Sequence, residues 1–360
     1  MAFSLFDHPH FSDLLRHDGI AELFSADADI AAMLRFEQAL TEVEAELGVI
    51  PKEASAAIIA SIRQFRPAMV DLAAGVARDG VIGPSLVAGL RDAVPEAIRT
   101  FVHFGATSQD VVDTSLMLRM KQAFSILRQD LEAVVGELDR LGLEQGDVPI
   151  IGRTRMQQAL PITFADRLKS WTKPLARQLE RTDDLAGHVL AVQFGGPVGT
   201  LDQLGDKGPA VRAALADRLG LSDPGEAWHA ARDRIVDIGG WLTTISGGLG
   251  KIGQDVALMA QNEVGEIRLE GGGLSSAMPY KRNPIRAEIL VALARFNAGQ
   301  QASLHQSMIH EGERSGAAWT LEWLVLPEMV ATTAASLALS RRCLQGLTVM
   351  ATDEEHEHRD

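Results

Sequence analysis

From Ile30 to Leu47 the apolar positions Ile30, Met33, Phe36, Leu40, Val43 and Leu47 advance by threes and fours. That spacing lines one face of a helix, and Gly48 and Pro51 then stop the segment. A longer run of the same kind begins at Val112 and continues through Leu116, Met120, Phe124, Leu127, Leu131, Val134, Leu138 and Leu141, with no proline inside. It predicts a helix of more than roughly 25 residues, against a common globular length of about 11. Similar Ala- and Leu-rich segments cover residues 162–186, 228–263, 285–311 and 318–346, with Pro174 and Pro327 as expected kinks. Strands favour β-branched and aromatic residues, and aromatics make up only 5% of the chain. The pattern predicts an all-α fold, an extended bundle of long helices.

Composition narrows the function classes. The 360 residues carry 34 Lys and Arg against 48 Asp and Glu, a net charge of -14, which argues against a general binder of nucleic acid or anionic membrane. An anionic ligand must therefore meet a local positive pocket. At 46% hydrophobic and 23% charged the chain reads as globular, with length for two or three domains. Its one cysteine, Cys343, excludes an intrachain disulfide framework and a multi-cysteine metal site, and fits a reducing, cytoplasmic setting. The N-terminus lacks a basic leader, and the longest uncharged stretch, Leu185 to Leu201, is broken by glycines and Pro197, so neither secretion nor membrane spanning is expected. The acidic tail with His356 and His358 reads as a frayed terminus rather than a metal site.

Three punctuated stretches between the helices hold the candidate chemistry: His103 to Thr114, Gly152 to Pro161, and Gly265 to Pro284. In the third, Gly271-Gly-Gly-Leu-Ser-Ser-Ala-Met-Pro-Tyr-Lys-Arg-Asn-Pro284 combines glycines, two hydroxyls and three polar or cationic side chains before a proline that opens the next helix. Such a loop can close over an anion, with Ser275 and Ser276 offering hydroxyls and Lys281 and Asn283 holding carboxylate oxygens. On composition alone a surface connector is an equal reading. His103 can equally be a packed cap histidine, Arg153 and Arg155 can belong to a solvated turn, and Thr107, Ser108 and Gln109 can serve as an N-cap cluster. An anion beside those N–H groups would also feel the positive end of the helix dipole.

The run Ser275 to Pro284 resembles the SS-x-MP-x-K-x-N loop of the fumarase/aspartase superfamily. His103 to Asp110 with Asp113 and Thr114 resembles that superfamily's first substrate-binding block, and Gly152 to Ala159 its second. GATSQD with DT, the stretch Phe194 to Leu201, and Glu311 to Arg314 with Trp319 and Trp323 are most similar to its 3-carboxy-cis,cis-muconate cycloisomerase branch. The resemblance implies a long-helix bundle of the fumarase/aspartase type and a small anionic, tricarboxylate-like substrate. It implies a homotetramer with active sites shared between subunits. It also implies lactonisation without a cofactor or metal, and no nucleic-acid or membrane partner.

By the same resemblance, Ser275 moves the proton, while Lys281 and Asn283 hold the carboxylate on which charge accumulates. His103 stands beside the substrate as a further catalytic candidate. Thr107, Ser108, Gln109, Arg153, Thr154, Arg155, Gln158, Ser276, Met278 and Arg314 bind the rest of the substrate. Many lyases of the superfamily carry a general acid or base His where this chain has Arg155, and an arginine cannot fill that role. Leu274 replaces the usual glycine before the serine pair. Tyr280 resembles adenylosuccinate lyases instead, which makes a fumarate-releasing lyase the alternative, with a non-catalytic scaffold third. Expected domains are 1–105 (N-terminal helical), 106–342 (central bundle) and 343–360 (a short remnant of a truncated C-terminal region).

Overall fold

The computed structural model describes residues 4–274, 278 and 281–351. Ser275 and Ser276, two of the expected site residues, lie outside the described residues, as do Tyr280 and the acidic tail. The described helices are α1 Ser12–Leu15, α2 Asp18–Leu23, α3 Ala26–Glu46, α4 Lys52–Gln64, α5 Met69–Asp79, α6 Gly83–Asp92, α7 Ser108–Gln145, α8 Phe164–Glu180, α9 Thr182–Val189, α10 Gly208–Leu219, α11 Asp233–Met259, α12 Ile285–Gln306 and α13 Ala317–Gln345. The all-α bundle expected from periodicity is what the chain forms.

Helix α3 realises the first apolar stripe. The Ser25 hydroxyl caps it by accepting from Ala28 N, and Asp27 and Asp29 sit in the first turn where the helix dipole favours negative charge. Met33, Phe36, Leu40 and Val43 are buried against α7. The 38 residues of α7 span about 57 Å at 1.5 Å per residue. All nine apolar positions from Val112 to Leu141 are buried, and residues 109–120 are buried on every face, so the helix begins inside the protein and later becomes amphipathic. Halfway along, Phe124 stacks on Trp241 of α11, with centroids 4.5 Å apart and planes 4° from parallel. Such pairs add about 0.5–1.5 kcal/mol beyond their burial.

The segment expected over 162–186 is divided at Arg181 into α8 and α9, and Pro174 and Pro327 lie inside α8 and α13 without ending them. Helix α13 is apolar and long enough to cross a membrane by length and composition, but most of that stretch is buried against the bundle. Three small antiparallel ribbons complete the fold: β1 Pro149–Thr154 with β2 Gln157–Thr163, β3 Ile267–Leu269 with β6 Leu347–Val349, and β4 Gly273–Leu274 with β5 Arg282–Asn283. The Gly152 to Pro161 stretch, read from sequence as a connector, is thus mostly a β-hairpin.

Helices α7, α11 and α13 run in the same direction, and hydrogen bonds at their ends show it. Arg232, just before α11, and Arg314, just before α13, bond Asp113 and Thr107 at the start of α7. At the other end Glu266, after α11, reaches Ile151 beyond α7, and Leu347, after α13, accepts from Gln145.

Candidate active site

The first block is a tightly built corner at the N-terminus of α7. His103 and Gly105 both have left-handed backbones, φ 59° and 67°, which turn the chain sharply into the helix. A Cβ on Gly196, itself at φ 70°, would stand 2.9 Å from the Gly105 carbonyl oxygen, so only glycine lets these two turns touch. Asp110 clamps them together. One of its oxygens accepts from Gly195 N at 3.0 Å and His229 Nε2 at 2.7 Å, the other from Gly196 N and Thr107 N at 2.9 Å each. The glycine-rich stretch Phe194 to Leu201 is thereby fixed beside the helix N-terminus.

One turn further on, Asp113 anchors a second buried network. It accepts from both terminal nitrogens of Arg232 at 2.6 and 3.2 Å, from Trp319 Nε1 at 2.9 Å and from Gln109 Nε2 at 3.2 Å. Burial alone would raise the Asp113 pKa, but Arg232 and the neutral donors outweigh it and hold the carboxyl below its ordinary value. Arg232 also bonds Glu322 and lies over the Trp228 ring, 4.6 Å from its centroid. Burial opposes its charge, yet Asp113 and Glu322 keep its pKa above the ordinary arginine value.

These contacts sort the first-block residues. Gln109 is fully buried, with its amide nitrogen shared between Asp113 and the His229 carbonyl, so it ties elements together inside the fold. Thr107 and Ser108 are only partly buried, and Thr107 Oγ1 accepts from Arg314 Nη1 at 2.6 Å. Two expected ligands 207 residues apart are therefore in direct contact. Arg314 makes its other bond to the Pro197 carbonyl, so no carboxylate neutralises it among the described contacts. His103 Nδ1 lies 2.6 Å from Glu37 Oε1 on α3.

The second block is the β1–β2 hairpin. Thr154 pairs with Gln157 across a two-residue turn in which Arg155 and Met156 have φ 48° and 70°. A turn with both central residues left-handed usually carries Asn and Gly, and an L side chain there costs about 1–2 kcal/mol. The hairpin thus spends stability to hold Arg155 at its tip. Arg153 is paired with the buried Glu266, which also accepts from Ile151 N, so its charge is already matched within the chain. Gln158, facing Arg153 across the ribbon, is exposed, as are Met156 at 69% and Leu160 at 75%.

The third block follows α11. Gly273 pairs with Asn283 and Leu274 with Arg282 in a short antiparallel ribbon. Lys281 is exposed, with its backbone N–H on the Met278 carbonyl at 3.0 Å, and Met278 is exposed as well. Glu266, which holds Arg153, lies just before β3, so the third block occupies the same end of the bundle as the second. The first block is at the opposite end of α7, a helix about 57 Å long. Sequence reasoning missed Glu37, His229, Arg232, Glu266 and Glu322. Among the described residues, no group of three or more His, Cys, Asp or Glu is placed to hold a metal ion.

Long helices carrying polar blocks at both ends, one of them a glycine-rich loop, define a helical-bundle enzyme of the lyase class. The chain belongs to the lyase family of the fumarase/aspartase superfamily: the family model described as "Lyase" matches residues 16–296. A 3-carboxy-cis,cis-muconate cycloisomerase of Pseudomonas aeruginosa is 39% identical over 336 residues, covering 91% of this chain and 73% of that protein. An N-acetyl-S-(2-succino)cysteine lyase of Enterococcus italicus is 36% identical, covering 93% and 75%. The crystal structure of the 3-carboxy-cis,cis-muconate lactonizing enzyme from Pseudomonas putida superposes with a TM-score of 0.88 at 34% identity, covering 95% of this chain and 78% of that one.

Proposed function

We propose that this chain is a cycloisomerase that lactonises 3-carboxy-cis,cis-muconate or a closely related 3-substituted muconate. Arg155 carries the reading: the position where many of these lyases hold an acid or base His is a cation that cannot give up its proton, held at an exposed hairpin tip at a cost in backbone strain. A trianion needs charge there more than it needs a second proton carrier. The likeness to cycloisomerases over nine-tenths of the chain supports the same choice.

In lactonisation one carboxylate oxygen adds to a diene carbon while a proton goes to the neighbouring carbon. Negative charge builds on the carboxylate next to that second carbon, and catalysis needs fixed donors at this carboxylate. Ser275 delivers the proton in this scheme, with Lys281 and Asn283 at the charged carboxylate. Thr107, Ser108, Arg155, Gln158 and Arg314 orient the other two carboxylates. Arg153, already paired with Glu266, acts by holding the hairpin. No cofactor enters the scheme.

Because the first block and the other two stand at opposite ends of α7, a helix about 57 Å long, one chain cannot bring all three to a substrate of this size. The proposal therefore includes a homotetramer with sites shared between subunits, its exposed hairpins reaching neighbouring copies. Light scattering should find a stable oligomer, and a fully active monomer would overturn this assembly. We also propose that residues 106–342 form its central bundle, with 1–105 packed as the N-terminal unit. The activity itself is tested by following ultraviolet loss of the diene across carboxy-, chloro-, methyl- and sulfo-muconates beside a succinyl thioether. Rapid loss with a 3-substituted muconate supports the reading, whereas cleavage of the thioether alone replaces it with an eliminating lyase.

A further inference from the structure

Helix α3 carries two carboxylates on one face, Glu37 and Glu44, two turns apart and both 1% exposed. Glu37 reaches His103 with one oxygen, and its other oxygen has no hydrogen-bond partner. Neither oxygen of Glu44 has one. His103 keeps 9% side-chain exposure, and its Nε2 bonds nothing among the described residues, yet it is not sealed from solvent as both ring nitrogens of His310 are. The ring is thus held at Nδ1 from inside the protein and left open at Nε2, four residues before the Thr107 N-cap.

We propose that Glu37 is a positioning residue, which fixes the His103 ring and keeps it an imidazolium so that Nε2–H meets a substrate carboxylate at the N-terminus of α7. This rests on the muconate reading above and adds to it a residue that no sequence motif marks. A lone histidine so buried would lose its proton. Here burial opposes the charge, but Glu37 and, at longer range, Asp110 outweigh both burial and the repulsion of Arg91, and the pKa lies above 6.5. The nearby His229 is bonded to Asp110.

Glu44 fits the same arrangement. Burial, assisted by the Glu37 charge, pushes its carboxyl up to about 9. It is consequently neutral at physiological pH and adds no second anion beside Glu37. Were both carboxylates ionised, their mutual repulsion would unbalance the pair.

The sign of the pH dependence follows. A raised histidine pKa means the charged pair is complete at low pH and is lost as pH rises through the folded-state value. If Nε2–H binds substrate, kcat/KM should fall along that alkaline limb. Glu37→Gln, which keeps the shape and removes the charge, should move the limb to lower pH. Where pH lies above both folded-state values, kcat/KM should be lower by about tenfold for each unit by which the His103 pKa falls, mostly through KM, and the deficit should shrink as pH is lowered. Glu37→Asp should retain part of the wild-type profile.

Two measurements decide the matter together. Proton NMR titration of the His103 ring, identified by comparison with His103→Asn, reads the pair directly and needs no turnover, so it stands apart from the identity of the substrate. A downward shift in Glu37→Gln with a parallel shift of the kcat/KM limb supports the proposal. An unmoved His103 titration overturns it, and so does a shifted titration with an unmoved rate profile or a pH-independent loss that Glu37→Asp does not relieve. Absence of turnover of every muconate by the wild type, with the NMR shift intact, is instead the failure of the muconate reading.

Discussion

Turnover by a Ser275→Ala variant is expected to fall by about 10² to 10⁴, the scale of a positioned acid or base, while KM stays comparable. A serine hydroxyl is a weak acid and base at its free pKa, so its worth depends on placement against the charge that develops on the neighbouring carboxylate. Lys281→Met should behave differently. Lys281 is exposed directly before β5, so its removal leaves the core untouched. Its charge would meet a substrate carboxylate in both ground and transition states, so KM and kcat should both suffer. Steady-state kinetics on the folded, assembled variants separates the two patterns. A near wild-type rate for Ser275→Ala would remove serine from proton transfer and make His103 the next candidate.

Periodicity was a sufficient guide where burial follows helical spacing. All nine apolar positions from Val112 to Leu141 face the interior, because a long helix in a bundle must bury a continuous stripe. It gave no sign of the β1–β2 hairpin. Gly152 to Gln158 is almost wholly polar, and Met156 and Leu160 are exposed, so the ribbon lacks the alternation by which a half-buried strand is recognised. The motifs located the blocks but not the contacts that build them. Asp113 looked like part of a substrate-binding run, yet its oxygens are taken by Arg232 and Trp319, 119 and 206 residues away. Such partners leave no local spacing to detect. Glu37 and Glu44 were missed for a related reason, since charges within an apolar stripe read as its polar edge until α4 and His103 close over them. Arg155 was legible from sequence as a substitution, and the structure adds the strained tip on which it is held.

Arg232→Met should produce the largest loss of stability. Arg232 is fully buried, and its charge is shared between Asp113 and Glu322, each also buried. Removing it leaves two carboxylates in a water-poor interior. Asp113 would keep Trp319 and Gln109 as neutral donors, while Glu322 would keep only His310 within reach, at 3.6 Å. Breaking a buried pair in this way costs about 3–5 kcal/mol, a large part of the roughly 5–15 kcal/mol that holds a typical domain folded. Lost cation–π contact with Trp228 adds to it. The deficit should depend on pH in a definite direction. Without Arg232 the charge that holds the Asp113 pKa down is gone and burial raises it in the folded state, so protonation relieves the strain and the variant lies closer to wild type at pH 5 than at pH 8. Adding Asp113→Asn and Glu322→Gln removes both orphaned charges and should recover much of the loss at neutral pH. Urea denaturation at fixed protein concentration compares both variants with the wild type. A loss below about 1 kcal/mol for Arg232→Met, or no recovery in the triple variant, would show that the α7 corner is held by its apolar packing and the Asp110 clamp rather than by this ion network.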